Sequence, residues 1–207
     1  MKILPFDTET TGIPDWHNPS EAPHQPHLVE IAAILAEGGE EIDRFHTIVR
    51  PDGWTIPADV AAIHGITQER AMDEGIPEAD AIEGFLALHR RGDMRVAHNE
   101  SFDARILRIA IKRFAGATQE ERDAVADAFK AAPRYCTCNA AKPIMQLPPT
   151  EKMKANARFR NSYKPPTLGE AHEFFLGEPL EDAHSALADA LGCWRVYEKL
   201  QERAGVV

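Results

Sequence analysis

Four acidic residues occur at positions where the sequence otherwise directs apolar side chains towards a core: Asp7, Glu9, Asp103 and Asp189. An isolated carboxylate that faces protein instead of water costs several kcal/mol unless it is neutralised or meets a cation. The pattern offers no arginine between these acids, and hard oxygen ligands suit Mg²⁺ or Mn²⁺. The four carboxylates therefore indicate a divalent metal site.

Two of the segments that must position these acids follow simple periodicities. If residues 2–10 form a strand, Asp7 and Glu9 point to the same face because side chains alternate along a strand. Residues 101–115 predict a helix with an apolar stripe, and Asp103 extends that stripe backwards into the first turn. A strand and a helix are thus each predicted to direct carboxylates at protein.

The third segment carries an acid and a histidine. Asp189 lies on the inward row of a second amphipathic helix, among small and apolar residues. His184 precedes it by five residues, roughly 140° around a helix, so the two cannot share a helical face. We therefore expect His184 in the segment that approaches the helix, where it can exchange protons with water as a general base.

Taken in order, these motifs resemble those of the DnaQ-like (DEDDh) 3′→5′ exonucleases, which belong to the ribonuclease-H-like superfamily. The family's Asp-x-Glu motif is matched by residues 7–9, and its second motif by residues 98–103. Its third motif, His-x-x-x-x-Asp, is matched by residues 184–189. Residues 63–67, Ile-His-Gly-Ile-Thr, are similar to the loop between the first two motifs. The resemblance covers residues 1–200, nearly the whole chain.

The resemblance implies a two-metal phosphodiesterase. Two Mg²⁺ or Mn²⁺ ions about 4 Å apart would activate a water and stabilise the leaving 3′ oxygen, releasing nucleoside 5′-monophosphates. The same resemblance assigns metal binding to Asp7, Glu9, Asp103 and Asp189, and the general base to His184. It also implies four substrate contacts: Thr10 at the terminal 3′-OH, His64 and Phe102 along the terminal nucleotide, and Asn99 nearby.

The element pattern predicts an α/β fold, which the resemblance makes a ribonuclease-H-like mixed sheet flanked by helices. Residues 2–10, 28–35 and 42–49 predict an antiparallel meander, and the strands after it are expected to be parallel. Pro5 falls within the first strand and predicts a local bulge just before Asp7, since proline removes a ladder hydrogen bond. The remaining elements are short strands at 95–97 and 135–137 and helices at 57–63, 77–89, 101–115, 119–132, 167–175 and 185–200.

Bulk properties narrow the class of protein. The chain of 207 residues is expected to form a single exonuclease domain over 1–207. Three cysteines argue against a disulfide framework, and a net charge of −10 argues against a general nucleic-acid coat protein. No apolar stretch approaches the roughly 18 residues of a membrane span, and the start does not fit a signal peptide, so we expect no membrane association and a cytoplasmic protein.

Two features leave alternatives open. The segment at about 150–166 is locally basic, with Phe159 and Tyr163 interleaved, which fits either a mobile nucleic-acid contact or a solvated loop. Glu30, within the buried run of the second strand, is either an acid that supports the site or an ion-paired strand residue. The basic residues of the segment are Lys152, Lys154, Arg158, Arg160 and Lys164.

Three functions are consistent with these patterns. The first is a metal-dependent 3′→5′ exonuclease acting on the 3′ end of single-stranded DNA, and the second is an exoribonuclease that trims RNA 3′ ends. The two differ in the 2′-OH, whose reader cannot be identified in the sequence. The third, of another class, is a binding or editing subunit with little activity alone. The expected partners are a nucleic-acid 3′ end and either a polymerase or a second copy of the chain.

Overall fold

A computed structural model describes residues 1–205 and contains one mixed sheet. Its strands are β1 (Lys2–Thr10), β2 (Leu28–Glu37), β3 (Glu40–Ile48), β4 (Met94–Ala97) and β5 (Arg134–Cys136). They are ordered β3-β2-β1-β4-β5. The β1/β2 and β2/β3 pairs are antiparallel, whereas β1/β4 and β4/β5 are parallel. The predicted meander followed by parallel strands is confirmed.

Helices flank the sheet and connect its parallel strands. Three of them were not predicted: α2 (Gln68–Glu74), α6 (Thr137–Met145) and the short α7 (Glu151–Lys154). Helix α6 begins directly after β5 and contains Pro143, a residue that ordinarily signals a helix end. Within residues 1–205, no helix combines the length and apolar character needed to cross a bilayer. The helices are α1 (Ala58–His64), α2 (Gln68–Glu74), α3 (Glu78–His89), α4 (Glu100–Phe114), α5 (Gln119–Ala131), α6 (Thr137–Met145), α7 (Glu151–Lys154), α8 (Leu168–Leu176) and α9 (Ala186–Ala204).

Strand β1 divides its side chains between two apolar layers. Leu4 and Phe6 pack in the larger core with α3 and α4, where the rings of Phe6 and Phe85 lie 5.7 Å apart. Ile3 faces the opposite layer and packs with Cys193 of α9. Since side chains alternate, Asp7 and Glu9 fall on the α9 side of the sheet and Thr8 on the α4 side. The central strand therefore contributes side chains to both layers at the point where the predicted site begins.

The predicted bulge before Asp7 is wrong. Pro5 lies in the central strand opposite Val96 of β4, and the register with β2 is the same on both of its sides. The register shift occurs later, between Glu9 and Thr10. Proline removes a single N–H donor, and the ladder pairs on either side of it keep the strand in register.

Candidate active site

The first two acids project from the carboxyl half of β1. Asp7 stands opposite Ala32 of β2, and Glu9 stands opposite Glu30. Both acids are only partly shielded from solvent, as expected for a strand that ends at a surface cleft.

Helix α9 approaches the sheet closely over these acids because small residues line the contact. Ala186 and Ala190 of α9 form a fully buried cluster with Ala32. Asp189, on the same face of the helix, is thereby carried towards β1. The predicted inward row of α9 is confirmed, and its small residues allow the carboxylate to reach the strand.

Asp103 enters the site from α4 and is fixed by β1. The backbone N–H and the hydroxyl of Thr8 both donate to Asp103 Oδ1, at 3.2 and 2.8 Å. Asp103 is 3% exposed. The chain turns from β4 into α4 at Asn99, which adopts the left-handed conformation (φ 64°, ψ 44°) that Asn tolerates better than most residues. One carboxylate oxygen of Asp103 is thus held by Thr8, and Oδ2 remains for another ligand.

His184 lies in the segment before α9, as predicted, and in an unusual backbone conformation (φ 70°). Its N–H donates to Asp189 Oδ2 at 3.2 Å, so the motif's acid fixes the backbone of the motif's histidine. The other oxygen, Asp189 Oδ1, is buried and has no partner among residues 1–205. Glu9, His184 and Asp189 each offer one ligand atom, and these atoms lie within 4.8 Å of one another.

The electrostatics of the cluster are unfavourable without a cation. Burial, followed by Asp103, Asp189 and Glu9, raises the pKa of Asp7 well above its ordinary value. Burial and then Asp189 raise the pKa of Glu9 to about 8. Burial raises the pKa of Asp103 to about 7 despite the Thr8 hydrogen bonds, and burial also raises that of Asp189. None of the four forms an ion pair within residues 1–205.

These observations fit a divalent cation. Carboxylates that repel one another, a buried oxygen without a partner and a nearby imidazole together make a hard ligand set. The tightest candidate group contains Glu9, Asp189 and also His184. Asp7 and Asp103 lie close enough for their charges to interact, but they fall outside that group. The histidine that was predicted only as a base is therefore also positioned as a candidate ligand.

Two predicted substrate contacts lie at the entrance. The Thr10 hydroxyl is buried and donates to the carbonyl of Gly12 at 2.7 Å, so its hydroxyl proton is already engaged. Asn99 is exposed at the start of α4, and its Oδ1 accepts a long hydrogen bond of 3.5 Å from Ser101. In this structure Asn99 has a free amide and Thr10 has a locally satisfied side chain.

The other two predicted contacts lie deeper. His64 is buried, its Nδ1 accepts from the Ile66 N–H at 3.1 Å, and its Nε2 has no partner among residues 1–205. Burial lowers the pKa of His64, and the charges of Glu30 and His184 also act on it, which places it beside the cluster. Phe102 is half-buried against the larger core, next in sequence to Asp103.

Sequence reasoning singled out Glu30 and left its role open, whereas it assigned no role to His98. Glu30 fills both of its proposed roles, because its Oε1 lies 2.7 Å from His46 Nε2 and its Oε2 accepts from the Ala186 N–H at 2.8 Å. His98 joins β4 to later segments through Thr137 Oγ1 at 2.9 Å and the Pro166 carbonyl at 3.0 Å. For Glu30, the signal was an acid within a buried strand.

A mixed sheet in this order, with acidic residues converging from β1, α4 and α9, defines a nuclease-type site on a ribonuclease-H-like fold. The family model described as an exonuclease (RNase_T) matches residues 4–197. The chain therefore belongs to this exonuclease family, the DnaQ-like group that its motifs resemble.

Relatives of known class match about half of the chain. The PolC-type DNA polymerase III of Thermotoga maritima is 35% identical over 116 residues, which are 54% of this chain and 7% of that protein. The 3′-5′ exonuclease DinG of Bacillus subtilis is 32% identical over 103 residues, 50% of this chain and 10% of that protein. The chain thus corresponds to a small part of much longer proteins.

The fold also matches solved structures. Exonuclease I of E. coli, in complex with a dT13 oligonucleotide, superposes with a TM-score of 0.69 at 19% identity. The match covers 99% of this chain and 42% of exonuclease I. The superposition shows that the fold is shared, and it confirms the predicted ribonuclease-H-like architecture.

Proposed function

We propose that this chain is a metal-dependent 3′→5′ exonuclease that removes nucleoside 5′-monophosphates from the 3′ end of single-stranded DNA. The observation that carries the proposal is the cluster of Asp7, Glu9, Asp103 and Asp189, whose charges meet no ion-pairing cation among residues 1–205. We propose that the whole chain forms one domain around this cluster. Its cytoplasmic location stays a prediction.

The proposed roles follow from the contacts. Asp7, Glu9, Asp103 and Asp189 would hold two divalent cations, Mg²⁺ or Mn²⁺. When bound, such ions activate water and stabilise charge on the leaving oxygen. Thr8 orients Asp103 by its two hydrogen bonds.

His184 would take the proton of the attacking water at a ring nitrogen. Its side chain is exposed and can pass that proton to solvent.

Substrate contacts are proposed at the mouth of the cluster. His64 Nε2 is buried without a partner among residues 1–205, and it would donate to a nucleotide because Nδ1 already accepts from Ile66. Phe102 would line the terminal base, Asn99 offers its amide, and Thr10 would contact the 3′-OH through its backbone because its hydroxyl is engaged. The 3′→5′ polarity and the choice of DNA draw on DinG and on exonuclease I with its dT13 oligonucleotide.

The test is digestion of a 5′-labelled single-stranded DNA with Mg²⁺ or Mn²⁺, comparing wild type with Asp189→Asn. Asp182→Asn is the matched control, because Asp182 is an exposed acid in the segment before α9. We expect a ladder that shortens from the 3′ end, abolished by EDTA and by Asp189→Asn but retained by the control. Cleavage of a matched RNA alone would replace DNA with RNA as the substrate. Cleavage of neither would refute the proposal.

A polymerase-associated editing subunit is the second candidate, favoured by the match to PolC-type polymerases. Its prediction is distinct: the purified chain would bind single-stranded DNA yet hydrolyse it slowly, and addition of a replicative polymerase would accelerate hydrolysis. Rapid hydrolysis by the chain alone would exclude this role as its main one.

A further inference from the structure

A cleft outside the carboxylate cluster is strongly basic. It has a volume of about 750 Å³ and lies between the first half of α4, the end of α5, β5 and the start of α6. Five of its lining residues are Lys or Arg, and a single one, Glu100, is acidic. This excess of positive charge occurs in a chain whose net charge is −10. We call it the cationic cleft, and its residues that matter here are Arg105, Arg108, Lys130, Arg134, Trp16 and Tyr135.

Most of this positive charge is not neutralised within the protein. Glu100 accepts from the buried Arg95 at 2.8 Å and lies 3.7 Å from Arg134, so one acid serves two cations. Arg108 and Lys130 form no ion pair within residues 1–205, and the Nε of Arg108 is buried without a partner there.

Arg105 likewise forms no ion pair within residues 1–205, although Glu21 and Asp15 lie near enough to raise its pKa. It donates to Ser20 Oγ and to the carbonyls of Asp15 and Asn18, which hold its position without cancelling its charge. Burial lowers the pKa of Arg105, and the neighbouring Arg108 lowers it further. Adjacent cations that repel each other in a cleft are a binding site for anions.

The cationic cleft and the carboxylate cluster share the first turns of α4. Asp103 points inward to β1, whereas Ser101, Ala104, Arg105 and Arg108 line the cleft. Arg108 lies about 7.5 Å farther along the helix axis than Asp103 and roughly 140° around it. A strand whose 3′ end enters the cluster therefore meets the cleft after crossing the start of this helix.

A site for single-stranded nucleic acid also needs surfaces on which bases can stack, and aromatic rings lie at the cleft. Trp16, in the loop after β1, is 54% exposed, and the guanidinium of Arg105 lies 5.9 Å from its ring centre. Tyr135 of β5 also lines the cleft, and its ring packs edge-on against Tyr197 with 5.0 Å between the ring centres. Cations along a groove with exposed rings bind phosphates and stack bases without sequence preference.

We propose that the cationic cleft holds the phosphates of a single-stranded nucleic acid upstream of its 3′-terminal nucleotide. The proposal rests on the proposed exonuclease function for the direction of the strand. It makes the cleft the determinant of affinity for long substrates, separate from the residues that perform hydrolysis.

The test compares two double variants. The cleft variant carries Arg108→Gln and Lys130→Gln, and the charge-matched control variant carries Arg50→Gln and Arg90→Gln. Both control arginines are exposed and lie outside the cleft. Binding of a labelled oligo-dT of about 12 nucleotides is measured by anisotropy in EDTA, where no hydrolysis occurs. Thermal unfolding verifies that each variant is folded, and Lys130→Gln alone, at an exposed residue, serves if the double variant is not.

We expect the cleft variant to bind the oligonucleotide at least about tenfold more weakly than wild type. The slope of log K against log salt concentration should become shallower by about 1.4, because two phosphate contacts are lost. The control is expected to match wild type. With Mg²⁺, the cleft variant should show a raised KM for the oligonucleotide and unchanged hydrolysis of a dinucleotide.

Equal binding by the cleft and control variants, or no binding by wild type, would overturn the inference. Failure of the proposed function looks different: wild type would bind the oligonucleotide with a cleft-dependent salt slope, yet hydrolyse neither substrate.

Discussion

Thr8 separates the two acids of β1 and serves a third. Its side chain lies on the opposite face of the strand from Asp7 and Glu9, and its N–H and hydroxyl both reach Asp103 Oδ1. A residue that an Asp-x-Glu motif leaves unspecified thus aligns the acid of the next motif. The spacing of the motifs predicted the three acids, but the link between them depends on how α4 docks beside β1, which no local pattern encodes.

Replacing Thr8 with Val removes the hydroxyl and leaves Asp103 with the backbone donor alone. We expect a loss of about 1–3 kcal/mol in the free energy of unfolding, because a buried acceptor loses a donor, and a fall in kcat. Urea unfolding and exonuclease rates measure the two effects. Thr8→Ser keeps the hydroxyl and should retain most of both, whereas a Val variant with the wild-type kcat would show that Asp103 needs no alignment.

His184 has a left-handed backbone, so its replacement must tolerate that conformation. Asn does so, and His184→Asn therefore removes the imidazole with little strain. We expect kcat to fall by about 10²–10⁴-fold, the usual contribution of a general base, with an unchanged melting temperature. The matched change His17→Asn, at an exposed histidine far from His184 in the sequence, should leave kcat unaltered. A His184→Asn enzyme of normal rate would assign proton transfer elsewhere.

At the scale of elements, Glu30 joins the sheet to the start of α9. It pairs with His46 of β3 and accepts from the first N–H of the helix, so β2, β3 and α9 meet at one carboxylate. The segment that carries His184 enters α9 at this point. Glu30 is therefore placed to set the position of the third motif relative to β1.

Glu30→Ala is expected to lower kcat as well as the free energy of unfolding, the latter by about 1–3 kcal/mol, since the Ala186 N–H is left without its acceptor. Glu30→Gln keeps an acceptor for that N–H and should recover most of the activity. A purely structural role predicts a different pattern, in which Glu30→Ala is less stable but has the kcat of wild type below its melting temperature.

Elements with strong periodicity were predictable, and those that depend on context were not. The strands β1–β3 and the helices α3, α4, α5 and α9 follow clear apolar patterns in the sequence. Helix α6 contains Pro143, whose local signal opposes a helix, and its formation depends on packing against α8 and α9. Pro5 misled in the same way, because a central strand tolerates the loss of one donor when both neighbouring strands remain paired.

For the whole molecule, the carboxylate cluster couples stability to pH and metal. The pKa of Glu9 rises from 4.5 to about 8 on folding and that of Asp103 from 3.8 to about 7. Each group binds its proton more tightly when folded, so its stabilising contribution is complete below the unfolded pKa and is lost as pH rises through the folded value. The lowered pKa values of His64, His89 and His98 act in the opposite sense, but these groups titrate below about pH 6.5.

In EDTA we therefore expect the free energy of unfolding to fall between about pH 6.5 and 8. The free energy of unfolding of the Glu9→Gln variant should fall less over the same pH range, because the amide does not titrate. Mg²⁺ or Mn²⁺ should raise the melting temperature of wild type more at pH 8 than at pH 6.5, since the ion replaces protons on the cluster. Urea titrations in EDTA measure the free energies of unfolding, and thermal unfolding with and without metal measures the shift in melting temperature. A metal effect independent of pH would contradict the prediction.

The cationic cleft shows why surface function was harder to predict than the catalytic motifs. Its charges come from α4, α5 and β5, and each segment alone is an ordinary mixture of acids and bases. The sequence analysis instead singled out residues 150–166, where basic side chains lie close together along the chain. There, Lys154 pairs with Glu151 of the same segment and Lys164 pairs with Glu170 of α8, so part of that local charge is neutralised by neighbouring acids. Whether the segment binds a strand or moves stays a prediction.

The ends of that segment are tied to the body of the protein, which has a consequence for chain continuity. The Lys164 N–H donates to the Leu147 carbonyl at 3.0 Å, and the Pro166 carbonyl lies 3.0 Å from His98 Nε2. A protease nick confined to the exposed residues 154–160 would therefore leave two fragments that stay assembled, since α9 remains packed on β1 and β2. The split protein should co-elute as one particle, which makes this position suitable for separating the chain into two complementing halves.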